Sequence, residues 1–288
     1  MVAIAAGAGH RLALKSDGTV VAWGAFGATE PVPDGLNNVV AIAAGGSHNL
    51  ALKSDDAVVA WGDNSSGQST VPGGLNGVTA IAAGGNYSLA LKSDGAVVAW
   101  GDNSRGQTTV PGGLNGVVAI AAGFSHSLAL KSDGTVVAWG QIYNGSAFGL
   151  ATVPSGLNGV VAIAAGGHSL ALKSDGTVVA WGNNFGGESN VPSGLNRVVA
   201  IAAGGGYSLA LIAAAPQPFT LGAPQWTPDG SFRWMLLGEA ERNYTVQSST
   251  NFTLWSDLQT VALGGSSVQI TDTNASAFPR RFYRARTQ

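Results

Sequence analysis

A tandem repeat of about 40 residues constrains this chain more than any other feature. The pair Trp-Gly recurs at Trp23, Trp61, Trp100, Trp139 and Trp181, at spacings of 38, 39, 39 and 42. The string Ile-Ala-Ala-Gly begins at Ile4, Ile42, Ile81, Ile120, Ile163 and Ile201. A unit this short cannot bury its own apolar face and must stack on its neighbours. Five units are complete, and a sixth stops after Leu211, where Ile-Ala-Ala-Ala-Pro-Gln-Pro replaces Lys-Ser-Asp-Gly. The repeat array therefore occupies 1–212, an Ala/Pro linker 213–217, and a second, repeat-free domain 218–288.

Within a unit, the runs VVAIAAG, HSLAL and TVVAW are short and rich in β-branched or aromatic residues. The second and third are joined by Lys-Ser-Asp-Gly, whose Asp-Gly pair accepts the positive φ of a tight hairpin. A fourth, shorter strand is expected near Thr-Val-Pro, with Pro at an edge because it cannot donate to a ladder. No segment carries a helical period of 3.6. Four strands per unit, repeated five or six times, predict an all-β propeller. The 43 glycines and the many alanines suit sheets that converge on a narrow axis.

Composition then removes several classes of function. Cysteine is absent, which excludes disulfides, thiolate metal sites and a Cys nucleophile. Net charge is −2, and residues 1–212 hold 8 Lys and Arg against 11 Asp and Glu, so no basic footprint for nucleic acid exists. No apolar run is long enough to span a bilayer. His10, His48, His126 and His168 share one repeat position with Tyr87 and Tyr207, so they lie a unit apart. That distance precludes common metal coordination and points to structural hydrogen bonds. Asp63-Asn64 and Asp102-Asn103 lack the terminal Glu of a calcium loop and read as Asx turns. Neither a nucleophile elbow nor a phosphate-cradling glycine loop before a helix occurs, and no catalytic residue or cofactor site is assigned.

The recurring G-x-H-S-L-A-L, D-G-x-V-V-A-W-G and G-Q-x-T-V-P strings resemble repeats of the regulator of chromosome condensation superfamily. The short repeat length is most similar to secreted β-lactamase-inhibitory propellers and related bacterial repeat proteins. The resemblance implies a seven-bladed ring, and this chain supplies five units and a half, so six blades or an incomplete arc of seven are both open. Met1 falls inside the first strand of a unit, which makes an N-terminal truncation and a lost export signal the expectation for a secreted or cell-surface protein. The inhibitory relatives bind through aromatic residues just before the His/Tyr position. Here those positions are Ala8-Gly9, Gly46-Ser47, Gly85-Asn86, Phe124-Ser125, Gly167 and Gly205-Gly206, and Phe124 alone is aromatic.

Comparison of units within the chain marks one end of the array. With the strands meandering, the loop after the first strand shares an end with the segment after Trp, while Lys-Ser-Asp-Gly and P-x-G-L-N-G lie opposite. The opposite end is nearly invariant. The first end diverges, as expected of loops released to contact something. Trp139 to Pro154 spans 15 positions where Trp61 to Pro72 spans 11, and the insertion carries Ile142, Tyr143 and Phe148. Phe124 is expected nearby, with Phe185 on the matching loop of the fifth unit. These five are either protein-binding anchors or rings tucked under their own enlarged loop. A non-enzymatic protein-binding or display scaffold is the reading adopted. An enzyme inhibitor is the alternative, and a carbohydrate-directed or hydrolytic enzyme ranks last.

Residues 218–288 alternate short strands with turn signals, and about six strands predict a small β-sandwich of immunoglobulin or fibronectin type. Arg280, Arg281, Arg284 and Arg286 crowd its last strand, either as an anion contact or as charges protecting an edge.

Overall fold

The computed structural model describes all residues except 25–30, 144–146, 214–219, 239, 279 and 288. The chain divides into two compact units, Met1–Ala213 and Ala214–Gln288. Among the described residues both are built from β-strands, with a single 3-10 turn at Ala275–Ala277 and no α-helix.

The first unit is a series of antiparallel sheets taken in strict chain order. The first sheet holds β1 (Ala3–Ala6), β2 (His10–Leu14) and β3 (Val20–Gly24), and the second β4 (Val39–Ala44), β5 (His48–Lys53) and β6 (Val58–Gly62). The third holds β7 (Val78–Ala83), β8 (Tyr87–Lys92) and β9 (Val97–Gly101). The fourth comprises β10 (Val117–Ala122), β11 (His126–Lys131), β12 (Val136–Tyr143) and β13 (Phe148–Leu150). The fifth has β14 (Val160–Ala165), β15 (His168–Lys173) and β16 (Val178–Gly182); the sixth pairs β17 (Val198–Ala203) with β18 (Ser208–Ile212).

Among the described residues the expected fourth strand is therefore absent from most units: Thr-Val-Pro runs outside any ladder, and a fourth strand forms only where the insertion supplies β13. The proline cannot donate, and the preceding turns satisfy their polar groups locally. The tight hairpins form as expected, with Gly18, Gly95, Gly134 and Gly176 at φ 77–80°. In the second unit Asp56 occupies that glycine position at φ 65°, a conformation Asp tolerates better than most residues.

Each of the first four sheets buries its second strand against the next sheet by one repeated contact. Leu12 and Leu14 meet Val39, Ala51 and Trp61 of the following sheet. Leu50 and Leu52 meet Val78, Ala90 and Trp100; Leu89 and Leu91 meet Val117, Ala129 and Trp139. Each buried Leu contributes about 1.5–3 kcal/mol of transfer free energy. The His/Tyr position supplies the polar part of the same junction. His10 Nε2 lies 2.6 Å from Asn49 Oδ1, His48 Nε2 2.9 Å from Ser88 Oγ, and His126 Nε2 2.8 Å from Ser169 Oγ. Tyr87, fully buried, instead donates its hydroxyl to the His126 carbonyl. These bonds join sheets rather than strands of one sheet.

The second unit holds β19 (Thr220–Trp226), β20 (Phe232–Leu237), β21 (Asn243–Ser249), β22 (Ser256–Ala262), β23 (Ser267–Asp272) and β24 (Phe282–Thr287). They form two three-stranded sheets, ordered β19-β20-β23 and β22-β21-β24. Residues from both sheets bury one core of Trp234, Leu236, Tyr244, Val246, Leu263, Ile270 and Ala285. The clustered arginines largely find partners within this unit. Arg281 pairs with buried Asp272 at 3.0 Å, and Arg284 donates to Gln247 while lying over Trp255. Arg286, on the edge strand β24, faces Asp257 of β22 at 3.8 Å.

Candidate functional site

The two loop classes that diverge between units emerge at the same end of the first unit's sheets. Backbone hydrogen bonds tie them together: Asp63 N donates to Ser47 O, Asp102 N to Asn86 O, and Gln141 N to Ser125 O, each at 2.9 Å. At this end consecutive sheets touch backbone to backbone. Gly46 N donates to Gly84 O, Gly85 N to Gly123 O, Phe124 N to Gly166 O, and Gly167 N to Gly204 O, at 3.0–3.2 Å. Glycine suits these positions because a Cβ at Gly46 would collide with Gly85 O.

Phe124 stands at one of these glycine positions and keeps the backbone bond. Its ring extends across the following glycines, so that a Cβ at Gly205 would sit 3.2 Å from it. The post-Trp insertion completes the site. Instead of a polar turn, β12 continues past Trp139 to Tyr143 and pairs back on β13, with Tyr143 opposite Phe148. Their rings lie 5.3 Å apart and tilted by 58°, a favourable aromatic geometry. Phe124, Tyr143, Phe148 and Ile142 line one pocket of about 190 Å³, floored by Gly166, Gly167 and Gly205 and edged by Gln141 and Asn183.

The roles within that group differ. Phe124, Tyr143 and Phe148 are 54%, 38% and 43% exposed, whereas Ile142 is buried at 7% and anchors the hairpin on Gly182. Phe185 is 87% exposed and lies outside the pocket. Residues 25–30, the first unit's post-Trp segment, and residues 144–146 at the tip of the insertion lie outside the described residues. Sequence reasoning missed Arg105, whose guanidinium stacks over Phe148 at 3.3 Å from the ring centroid. Its signal was present: Arg105 occupies the third unit's post-Trp loop where the second unit has Ser66.

The post-Trp loops of the second and third units are polar Asx turns. Asp63 Oδ1 accepts from Ser65 N, and Asp63 Oδ2 from Gln68 Nε2 at 2.8 Å. The Ser65 amide holds the Asp63 carboxyl below the ordinary carboxylate range. The Gln68 carbonyl then accepts from Trp100 Nε1 at 2.9 Å, and Gln107 O does the same for Trp139 at 2.8 Å. Burial pushes the His48 and His126 imidazoles down to about 4, so both are neutral at pH 7. Among the described residues, no cluster of three or more His, Cys, Asp or Glu is placed to hold a metal.

A model of the regulator of chromosome condensation (RCC1) repeat matches residues 1–27, 39–68, 78–107, 117–146 and 160–188, together just over half of the sequence. The chain belongs to the RCC1 repeat family. No curated protein matches this RCC1-repeat chain. It is similar to yeast RCC1 (Prp20), solved bound to Kap60, at 26% identity and a TM-score of 0.59, over 73% of this chain and 65% of that one. The RCC1-repeat chain thus spans less than two thirds of that protein's length. Prp20p of Saccharomyces cerevisiae, described with binding to Gsp1p and histones, gives 22% identity and a TM-score of 0.59 over 82% and 72% of the two chains. Human WBSCR16 shares the fold at 19% identity and a TM-score of 0.55, over 82% and 75%. The fold is therefore of the RCC1 propeller kind. No helix among the described residues is long and apolar enough to cross a membrane.

Proposed function

We propose that this chain is a non-enzymatic protein-binding scaffold whose contact surface is the loop end of the fourth and fifth units. One observation carries the reading: Phe124 from one loop and Tyr143 and Phe148 from the inserted hairpin converge on one pocket and stay substantially exposed. Aromatic anchors around a small cavity, with an arginine beside them, have the composition of binding hot spots. Side chains needed only for local packing would be covered, as Ile142 is. The relatives point the same way, since Prp20 is described with Kap60, Gsp1p and histones as partners. On this reading the sheets are blades of a propeller and the second unit is a small immunoglobulin- or fibronectin-like spacer. The resemblance of the short repeats to exported bacterial proteins supports a place outside the cell or on its surface.

The test compares the intact chain with a Tyr143→Ala/Phe148→Ala variant in capture from culture medium, quantified by mass spectrometry. A Lys53→Ala variant at the opposite end serves as control. We expect a partner recovered by the intact chain and the control but depleted about ten-fold or more by the double variant. Equal recovery by all three would remove the aromatic pocket as the contact surface.

A further inference from the structure

Among the described residues the sixth sheet holds two strands, and the reason lies inside the chain. In every complete unit Lys-Ser-Asp-Gly, or Lys-Ser-Asp-Asp in the second, turns the second strand into a third, Val-Val-Ala-Trp-Gly, paired antiparallel on its far edge. After Leu211 that turn is replaced by Ile-Ala-Ala-Ala-Pro-Gln-Pro. Among the described residues β18 accordingly pairs with β17 alone. Its five residues are all exposed, with Leu209 at 60% and Leu211 at 63%, whereas Leu50, Leu89, Leu128 and Leu170 are buried at 0–1%. An edge with free amide and carbonyl groups is a template for an added strand.

A second, independent feature shows what that strand should contain. At the junctions of the second with the third sheet and of the third with the fourth, one carbonyl receives two donors. Gln68 O accepts from Ser88 Oγ and Trp100 Nε1, and Gln107 O from Ser127 Oγ and Trp139 Nε1. At the sixth sheet half of this arrangement is already set. Ser208 Oγ donates to Glu188 O at 2.8 Å and sits 2.6 Å from His168 Nε2. The indole that would complete the pair belongs to the third strand, which this sheet lacks among the described residues.

We propose that β18 is an acceptor strand for an extended segment of another polypeptide carrying two β-branched residues, a small residue and Trp-Gly. The register of β15 on β16, Leu172 opposite Val178 through His168 opposite Gly182, carries over directly. Leu211, Ala210, Leu209, Ser208 and Tyr207 would face Val, Val, Ala, Trp and Gly in turn, with the donor indole directed to Glu188 O. Main-chain bonds supply affinity, and the Trp site supplies selectivity.

The probe is a fluorescein-labelled peptide Gly-Thr-Val-Val-Ala-Trp-Gly-Asn, the sequence of residues 176–183, titrated with the full chain by anisotropy. We expect saturable binding, about ten-fold or more weaker for the peptide with Trp replaced by Ala, and absent for a scrambled peptide. Hydrogen exchange should slow at 208–212 when the peptide binds. A second chain, with Lys-Ser-Asp-Gly-Thr-Val-Val-Ala-Trp-Gly-Asn-Asn inserted after Leu211 to complete the sheet in cis, should no longer bind the peptide. The proposal is overturned by failure to saturate, by equal binding of the scrambled peptide, or by protection elsewhere than β18. Undiminished binding by the completed chain would overturn it too.

Discussion

The third and fourth repeats share a scaffold and differ in one loop. Their second and third strands pair in the same register, Tyr87 opposite Gly101 and His126 opposite Gly140, and Leu89 and Leu128 are equally buried at 0%. After Gly101 the chain makes a polar turn, in which Asp102 accepts from Ser104 N and from the buried Gln107 side chain. After Gly140 it runs on as a strand and returns through Phe148, trading side-chain polar bonds for a ladder and two rings. The polar turn spends its side chains on its own backbone. The hairpin satisfies its backbone by pairing and leaves its aromatics for other contacts. A repeat scaffold held by inter-sheet Leu and His contacts tolerates both solutions, and each loop adds its own contact to the next sheet: Gln107 O takes the Trp139 indole in one, and Ile142 packs on Gly182 in the other.

The largest effect should come from attacking what the two repeats have in common. Leu89→Ala and Leu128→Ala should each destabilise the first unit by about 2–5 kcal/mol in denaturant unfolding, with similar values for the two. A large disparity would break the equivalence of the junctions. Acid should come next, counted per pH unit, through the histidines of the same junctions. An unfolded imidazole titrates near 6.5. His48 and His126 are held down to about 4 by burial, so the unfolded chain takes up their protons first as pH falls. Stability should be full above about pH 6.5 and drop by about 1.4 kcal/mol per pH unit per histidine between 6.5 and 4. His126→Gln should flatten that slope in urea melts taken across this range. The smallest effects should separate the loops themselves. Asp102→Ala, which strands the buried Gln107 amide, should cost about 1–2 kcal/mol. Phe148→Ala should cost under about 1 kcal/mol, given its exposed ring-on-ring and guanidinium contacts. Reversal of that order in thermal melts would show the aromatics to be packing groups.

Much of this was legible beforehand because it is local chemistry. Asp-Gly turns demanded positive φ, alternation and β-branching demanded strands, and the His/Tyr equivalence demanded a polar tip in a buried place. The missing fourth strand was misjudged because Thr-Val-Pro has strand-like residues but no neighbour to pair with. The pairing of Arg105 with Phe148 was not legible, since the two residues are 43 positions apart and meet only where consecutive sheets pack.

Periodicity and turn residues alone thus determined the repeating strand-hairpin units, their three shared strands and the end of the array at which the loops vary. These depend on steric and hydrogen-bonding preferences within a few residues. Only the stacked sheets decided that Phe124, Tyr143 and Phe148 share a pocket while Phe185 does not, and that β18 pairs with β17 alone among the described residues. Such outcomes depend on distances between segments far apart in the chain, which are set by side-chain volume and backbone contact across each junction.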